Sequence, residues 1–210
     1  MILPSKEFWD VFKNTNGALS ASESLAISNI ASQCPPRGLA IEFGVYRGKS
    51  AMSAMAAENF AEFHLVDTEF GKEIPVSEVG ENLIKAVPNH PRLVFIVGSS
   101  LDYLAGSDCM FSYVFVDSGN HQDLPMLEVK ALEDRIVPGG IIAFHDYNCQ
   151  FIQVNEAYEY LLGTGKYEEV PINWDEIVQY VNENNLEEGN MSWHHNELKN
   201  PCFVGALRRK

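Results

Sequence analysis

An α/β fold built on a doubly wound, mostly parallel sheet is predicted by three observations. Apolar strand runs alternate with helical runs along the chain, the signature of a parallel sheet covered on both faces. The strand runs stop at polar chemistry, namely Glu42, Asp67, Ser99, Asp117 and Asp146, which such a topology brings together beyond the carboxyl ends of the strands. The chain's 210 residues with 46% apolar content fit one core and leave none over for a second. A single domain over residues 1–210 is expected, with a helical lead-in over 1–37 and a variable acceptor-side insertion over 167–201.

Each element follows from local chemistry. Ser20 or Ser22 can cap a helix running to about Ser32, with Leu25, Ile27, Ile30 and Ala31 as its apolar positions, before Cys34-Pro35-Pro36 stops it. The first strand covers residues 39–43. The small-residue stretch SAMSAMAAENF reads as a helix whose alanines allow close packing on the sheet. A second strand covers 63–66, a loop 70–75, a helix 76–87, and a third strand 93–97, which breaks at Gly98-Ser99-Ser100. The fourth strand, 113–116, precedes a helix with Asp123 as cap, Pro125 in its first turn, and Leu124, Leu127, Ala131 and Leu132 along one side; Pro138-Gly139-Gly140 is expected to end it. The fifth strand, 141–144, leads to a helix burying Val154, Ala157, Tyr158 and Leu161. Two late strands, 167–170 and 203–207, flank a helix near 174–181 and are expected to close as an antiparallel pair.

Composition excludes several classes. A formal charge of −14 opposes the phosphate-neutralising surface that nucleic-acid binding requires, so neither DNA nor RNA is an expected partner. Cys34, Cys109, Cys149 and Cys202 form no C-x-x-C pair and read as reduced thiols. The N-terminal residues lack the features of a secretory signal, and no run of apolar residues is long enough to span a membrane. A cytoplasmic protein without membrane contact is the expectation, and a homo-oligomer stays open.

The functional signal is AIEFGVYRGKS, residues 40–50. A dinucleotide fingerprint spaces its glycines G-x-G-x-x-G to admit a pyrophosphate. Here the order is Glu42-x-Gly44-x-x-x-Gly48-x-Ser50, with an acid ahead of the loop and bulky Tyr46 where a phosphate would need room. Such a loop repels phosphate and suits a cationic ligand with a free amine, and S-adenosylmethionine is one.

Taken in order, EFGVYRGKS, HLVD, VGSS, FVDSGNH and VPGGIIAFHDY resemble a class I S-adenosylmethionine-dependent methyltransferase. The likeness is strongest to the small bacterial group containing metal-dependent sugar O-methyltransferases, and it spans roughly residues 39–147. It implies a seven-stranded sheet, Rossmann-like, whose last strand is antiparallel. It also implies that Glu42, Gly44, Tyr46, Gly48 and Ser50 surround the methionyl part of the cofactor, with Ser50 and nearby amides taking its carboxylate. Asp67 would accept the ribose hydroxyls, Ser99 or Ser100 would lie by the adenine, and Asp117 is counted among the cofactor-binding residues, touching the cofactor amine or a backbone amide if no metal is held.

Methyl transfer to a hydroxyl oxygen of a small-molecule acceptor would need alignment and loss of a proton. His121 could act as the base. A divalent ion, magnesium or manganese among others, could instead lower the hydroxyl pKa, held by Asp117 and Asp146 with His145 beside them and Asn148 nearby. Two departures from the group bear on this: its acidic pair after the fifth strand begins here with His145, and its histidine follows the fourth-strand aspartate one residue sooner than His121 does. A nitrogen ligand favours zinc, iron or manganese over magnesium. In the alternative without metal, Asp146 caps the next helix and His145 fills a polar seam. His194 and His195 read as loop residues, while Tyr158, Tyr160, Trp174, Tyr180 and Trp193 could line an acceptor pocket or pack helices. Two other functions fit the same residues: cofactor binding without transfer, and a hydroxylase-linked relative on the same fold.

Overall fold

The computed structural model describes residues 1–119, 123–148, 151–186 and 203–210. In chain order the elements are α1 (Lys6–Asn14), α2 (Ala21–Ala31), β1 (Gly38–Phe43), α3 (Lys49–Met55), β2 (Phe60–Asp67), α4 (Val76–Ala86), β3 (Arg92–Val97), α5 (Ser100–Ala105), β4 (Phe111–Val116), α6 (Leu124–Leu132), β5 (Ile136–Tyr147), α7 (Ile152–Gly163), β6 (Tyr167–Glu169), α8 (Trp174–Glu183) and β7 (Phe203–Arg209). Seven strands form one sheet in the order β3-β2-β1-β4-β5-β7-β6. Pairings among β1 to β5 are parallel, whereas β7 runs antiparallel to both β5 and β6. The order reverses between β1 and β4, and an open α/β sheet binds its ligands at such a switch point.

Strand alternation sorts side chains onto two faces. Ala40, Phe63, Leu65, Tyr113 and Phe115 pack with α1, α2, α3, α4 and α8 in one core. Ile41, Phe43, Val66, Val114 and Val116 point the other way and pack with α5, α6 and α7. Burial on both faces explains why the central strands read as continuous apolar runs. The small residues of α3 are buried throughout and let this short helix lie close to α2, where Ser24 and Ser53 hydroxyls meet at 2.7 Å.

Several boundaries differ from the sequence expectation. The stretch SAMSAMAAENF is helical only to Met55, and Phe60 already opens β2. Ser100 begins a short helix, α5, with Ser99 as its cap, where only a break was expected. Pro138-Gly139-Gly140 lies inside β5 and does not end α6, which stops at Leu132. Gly139 has φ 77°, and a Cβ on Gly140 would stand 2.9 Å from the Val137 carbonyl, so the glycines shape an irregular strand start. On α6 the buried residues are Pro125, Glu128, Val129 and Leu132, while Leu127 is exposed and does not belong to the packed side. Asp123 occupies the N-cap position of α6 but its side chain makes no capping bond.

At the start of α2 the chemistry is a full capping box. Ser20 Oγ accepts the Glu23 N–H at 3.2 Å, and Glu23 Oε2 accepts the Ser20 N–H at 2.8 Å and its hydroxyl at 2.7 Å. Ser20→Ala should therefore destabilise the fold by about 1 kcal/mol, measured by urea denaturation; an unchanged midpoint would show that the cap contributes nothing.

Candidate active site

Gly44 is where the site begins. Its amide extends β1 by donating to Val66 O at 3.0 Å, and Asp117 N donates to Phe43 O at 2.9 Å, so the ends of β1 and β4 are stitched together. With φ 80°, Gly44 turns the chain away from the sheet; a Cβ there would lie 2.1 Å from the Asp117 carbonyl oxygen. Only glycine fits. The loop then runs through Tyr46, at φ 49°, to Gly48, the N-cap of α3.

Asp67, at the tip of β2, fastens that loop. Its Oδ2 accepts the Val45 N–H at 3.0 Å and the Tyr46 N–H at 2.8 Å, and its Oδ1 accepts the Glu69 N–H at 2.8 Å. A carboxylate has about four acceptor sites, so room remains for a ligand hydroxyl. Asp67 also lines a cleft of roughly 320 Å³ with Tyr46, Ser99, Ser100 and Asp117, all of which the sequence assigns to the cofactor. Thr68, Glu69, Leu101, Ser118 and Leu124 also line the cleft and were not foreseen. Ser99 is occupied locally, capping α5 and donating to Asp102 Oδ2 at 2.7 Å.

Glu42 lies beneath the loop with no exposed surface. Ser50 Oγ donates to its Oε1 at 2.6 Å, and its Oε2 has no partner. Burial, reinforced by the charges of Asp117 and Asp67, pushes its carboxyl well above the usual range. A cation arriving nearby would relieve that cost.

A second cleft, of roughly 260 Å³, adjoins the first and shares Gly44, Tyr46 and Asp117 with it. Asn16 to Leu19 close one side, and His145 and Asp146 stand at the tip of β5. His145 Nδ1 is 3.4 Å from Asp117 Oδ1 and 3.6 Å from Asp146 Oδ2, and its Nε2 is 3.4 Å from Glu23 Oε1. Burial by itself would lower the imidazole pKa; Asp117 and Glu23 override it and hold His145 well above 6.5. Burial raises the Asp117 carboxyl, whereas Glu23, although buried, is held below its usual value by His145 and Ser20. Glu23 is the residue sequence reasoning missed, because its signal there is only that of a helix cap.

Asp117, His145 and Asp146 are the group of donors close enough to hold an ion among the described residues. A charge-assisted pair closes to about 2.7–2.9 Å, and these contacts stay longer. The three donor atoms all lie within 4.8 Å of one another, a separation that one bound ion can span. The donor set fits a divalent ion with mixed nitrogen and oxygen preference. His121, Trp193, His194 and His195 lie outside the described residues, as do Cys149 and Cys202. Tyr158 stacks on Tyr147 with centroids 4.2 Å apart, and Trp174 and Tyr180 pack against the core, so these three serve packing.

The methyltransferase-domain family matches residues 41–147, from β1 through the tip of β5. The chain belongs to that family. It is a class I, S-adenosylmethionine-dependent methyltransferase, and the match spans the strand tips that build both clefts. No curated protein matches the methyltransferase in sequence. Among solved structures it is similar to an O-methyltransferase from Bacillus cereus in complex with SAH, at 11% identity and TM-score 0.66, covering 100% of this chain and 93% of that one. It is also similar to the O-methyltransferase TomG from Streptomyces achromogenes, involved in tomaymycin synthesis and in complex with SAM, at 15% identity and TM-score 0.61, over 100% and 91%. An rRNA methylase from Streptococcus thermophilus shares the fold at 11% identity and TM-score 0.58, over 87% and 93%. At these identities the likeness is one of fold, and acceptors differ across it.

One buried acid of the methyltransferase carries a pH dependence. Glu128 on α6 has no exposed surface, Ser118 Oγ donates to its Oε1, its Oε2 is unpartnered, and burial lifts its pKa to about 7. The folded chain holds this proton more tightly than the unfolded chain, so the stability it lends is present below pH 4.5 and is lost as pH rises to about 7. Between about pH 4 and pH 8 the stability difference between wild type and Glu128→Gln should shift by about 3 kcal/mol in favour of the variant. A pH-independent difference in denaturation midpoints would contradict this.

Proposed function

We propose that this methyltransferase moves a methyl group from S-adenosylmethionine to a hydroxyl oxygen of a small acceptor, a sugar or another hydroxylated metabolite. The observation that carries the reading is the position of Asp117, which lines both clefts and so stands where cofactor and acceptor meet. The adenosyl end occupies the cleft of Asp67, Ser99 and Ser100, with Asp67 accepting ribose hydroxyls while it clamps the glycine loop. The sulfonium crosses the Gly44–Tyr46 ridge, where the neighbouring acids Glu42, Asp67 and Asp117 favour positive charge.

The methyl carbon is activated by sulfur, so the protein mainly aligns oxygen, carbon and sulfur and keeps water away. The acceptor hydroxyl lies in the second cleft, facing Asp117 and Asp146. Asp117, His145 and Asp146 would hold a divalent ion there, which supplies a lowered hydroxyl pKa and an anchor for the oxygen. Glu23 Oε1, 3.4 Å from His145 Nε2, places a negative charge behind the ring on the side away from the two aspartates. His121, farther along the chain from Asp117, is the residue we assign to proton removal. The charge of −14 supports a small acceptor over a nucleic acid. No helix among the described residues is long and apolar enough to cross a membrane, and we place the protein in the cytoplasm.

Incubation with methyl-labelled S-adenosylmethionine and a panel of hydroxylated small molecules should yield a labelled O-methyl ether, identified by mass spectrometry. Label on nitrogen, carbon or RNA alone would refute the oxygen assignment. Asp67→Ala should weaken S-adenosylhomocysteine binding by about 1 to 3 kcal/mol in calorimetry, and equal affinity would remove Asp67 from the site. Manganese should raise the melting temperature of the wild type but not that of Asp117→Asn or Asp146→Asn; an equal response from all three rules out the ion site.

A further inference from the structure

The second cleft contains a cation that the proposed reaction leaves unused. Lys49, the first residue of α3, is 6% exposed and lines this cleft beside Ser50. Its ammonium has three hydrogens to donate. One points to the Gly17 carbonyl oxygen at a long 3.4 Å, and the Phe12 ring centroid lies 4.4 Å away. No carboxylate pairs with it among the described residues, although Glu23 is near enough to act on it by charge. A buried charge with such weak partners is costly unless something else neutralises it.

The surroundings hold this cation in place. Gly17, at φ 153°, lies against the lysine stem, and a Cβ there would come within 3.2 Å of Lys49 Cδ. Burial favours the neutral amine, so the empty-handed site gains when an anion arrives. Meanwhile the group expected to meet a carboxylate, the Ser50 hydroxyl, has already given its one hydrogen to Glu42 Oε1 at 2.6 Å. The cleft thus has Asp117 and Asp146 with His145 between them at the strand tips, and two cations on the chain that follows β1: Arg47, already paired with Glu78, and Lys49, with which no carboxylate pairs among the described residues. That polarity suits a zwitterionic α-amino acid group, and the methionyl end of the cofactor is one.

Resting on the cofactor reading above, we propose that Lys49 is the carboxylate-binding residue of this methyltransferase and pairs with the α-carboxylate of the methionyl group. The amine of the same group then faces the acids, and the loop from Gly44 to Ser50 reads both charges across one turn of chain. The interaction is a charge-assisted hydrogen bond in a partly desolvated cleft, the setting in which such bonds are strongest.

Isothermal titration with two ligands tests this. S-adenosylhomocysteine carries the carboxylate; its decarboxylated analogue keeps the adenosine, thioether and amine. Lys49→Met should bind S-adenosylhomocysteine about tenfold or more weakly, while its affinity for the decarboxylated analogue stays within about twofold of wild type. Lys49→Arg should recover most of the loss. Retained binding of the analogue also shows that Lys49→Met is folded. Equal weakening of both ligands, or of neither, overturns the assignment of Lys49 while leaving the cofactor reading intact. If the wild type binds neither compound, the cofactor reading fails and takes this inference with it.

Discussion

The contact between Gly44 and the backbone of Asp117 is the constraint on which the site depends. Adjacent parallel strands β1 and β4 send their following loops in opposite directions, and at that parting the two backbones approach until no Cβ can stand between them. A crevice opens on each side of this contact. The two clefts share Gly44, Tyr46 and Asp117 for that reason, and a ligand lying across the contact necessarily passes the acids gathered at the strand tips. Any side chain at Gly44 would force β1 and β4 apart and dissolve both clefts together.

Electrostatics completes what the backbone begins. Glu42 is buried under the loop at a free-energy cost that its bond to Ser50 only partly offsets, and its second oxygen has no partner. Asp67 acts differently, since it commits acceptor capacity to two loop amides and so fixes the loop's shape before any ligand binds. The capping box of α2 reaches the same centre. Glu23 satisfies the helix start with one oxygen and approaches His145 with the other at 3.4 Å, so the start of α2 stands against the tip of β5. An element that reads as a lead-in thereby becomes a wall of the site.

The order of strands and helices was legible because each strand run is apolar, short and punctuated, and because the serines before α2 and Pro125 in the first turn of α6 mark helix starts. The errors came where one residue type serves two purposes. Gly139-Gly140 can end a helix or loosen a strand, and only pairing with β4 selects the strand. Leu127 fits the apolar stripe of α6 by spacing, yet Glu128 and Val129 are the residues turned inward: the Ser118 hydroxyl donates to the Glu128 carboxyl there, and Val129 packs in the apolar core.

By itself the sequence determined the family, the parallel core and the acids Asp67 and Asp117 at the strand tips, since these follow from periodicity and from motifs short enough to be read locally. Tertiary structure decided the rest: that Ser50 serves Glu42, that Glu23 stands behind His145, and that Lys49 has no carboxylate paired with it among the described residues. Those facts join residues far apart in the chain, and hydrogen-bond partnership is fixed by packing distance, which spacing along the chain does not encode.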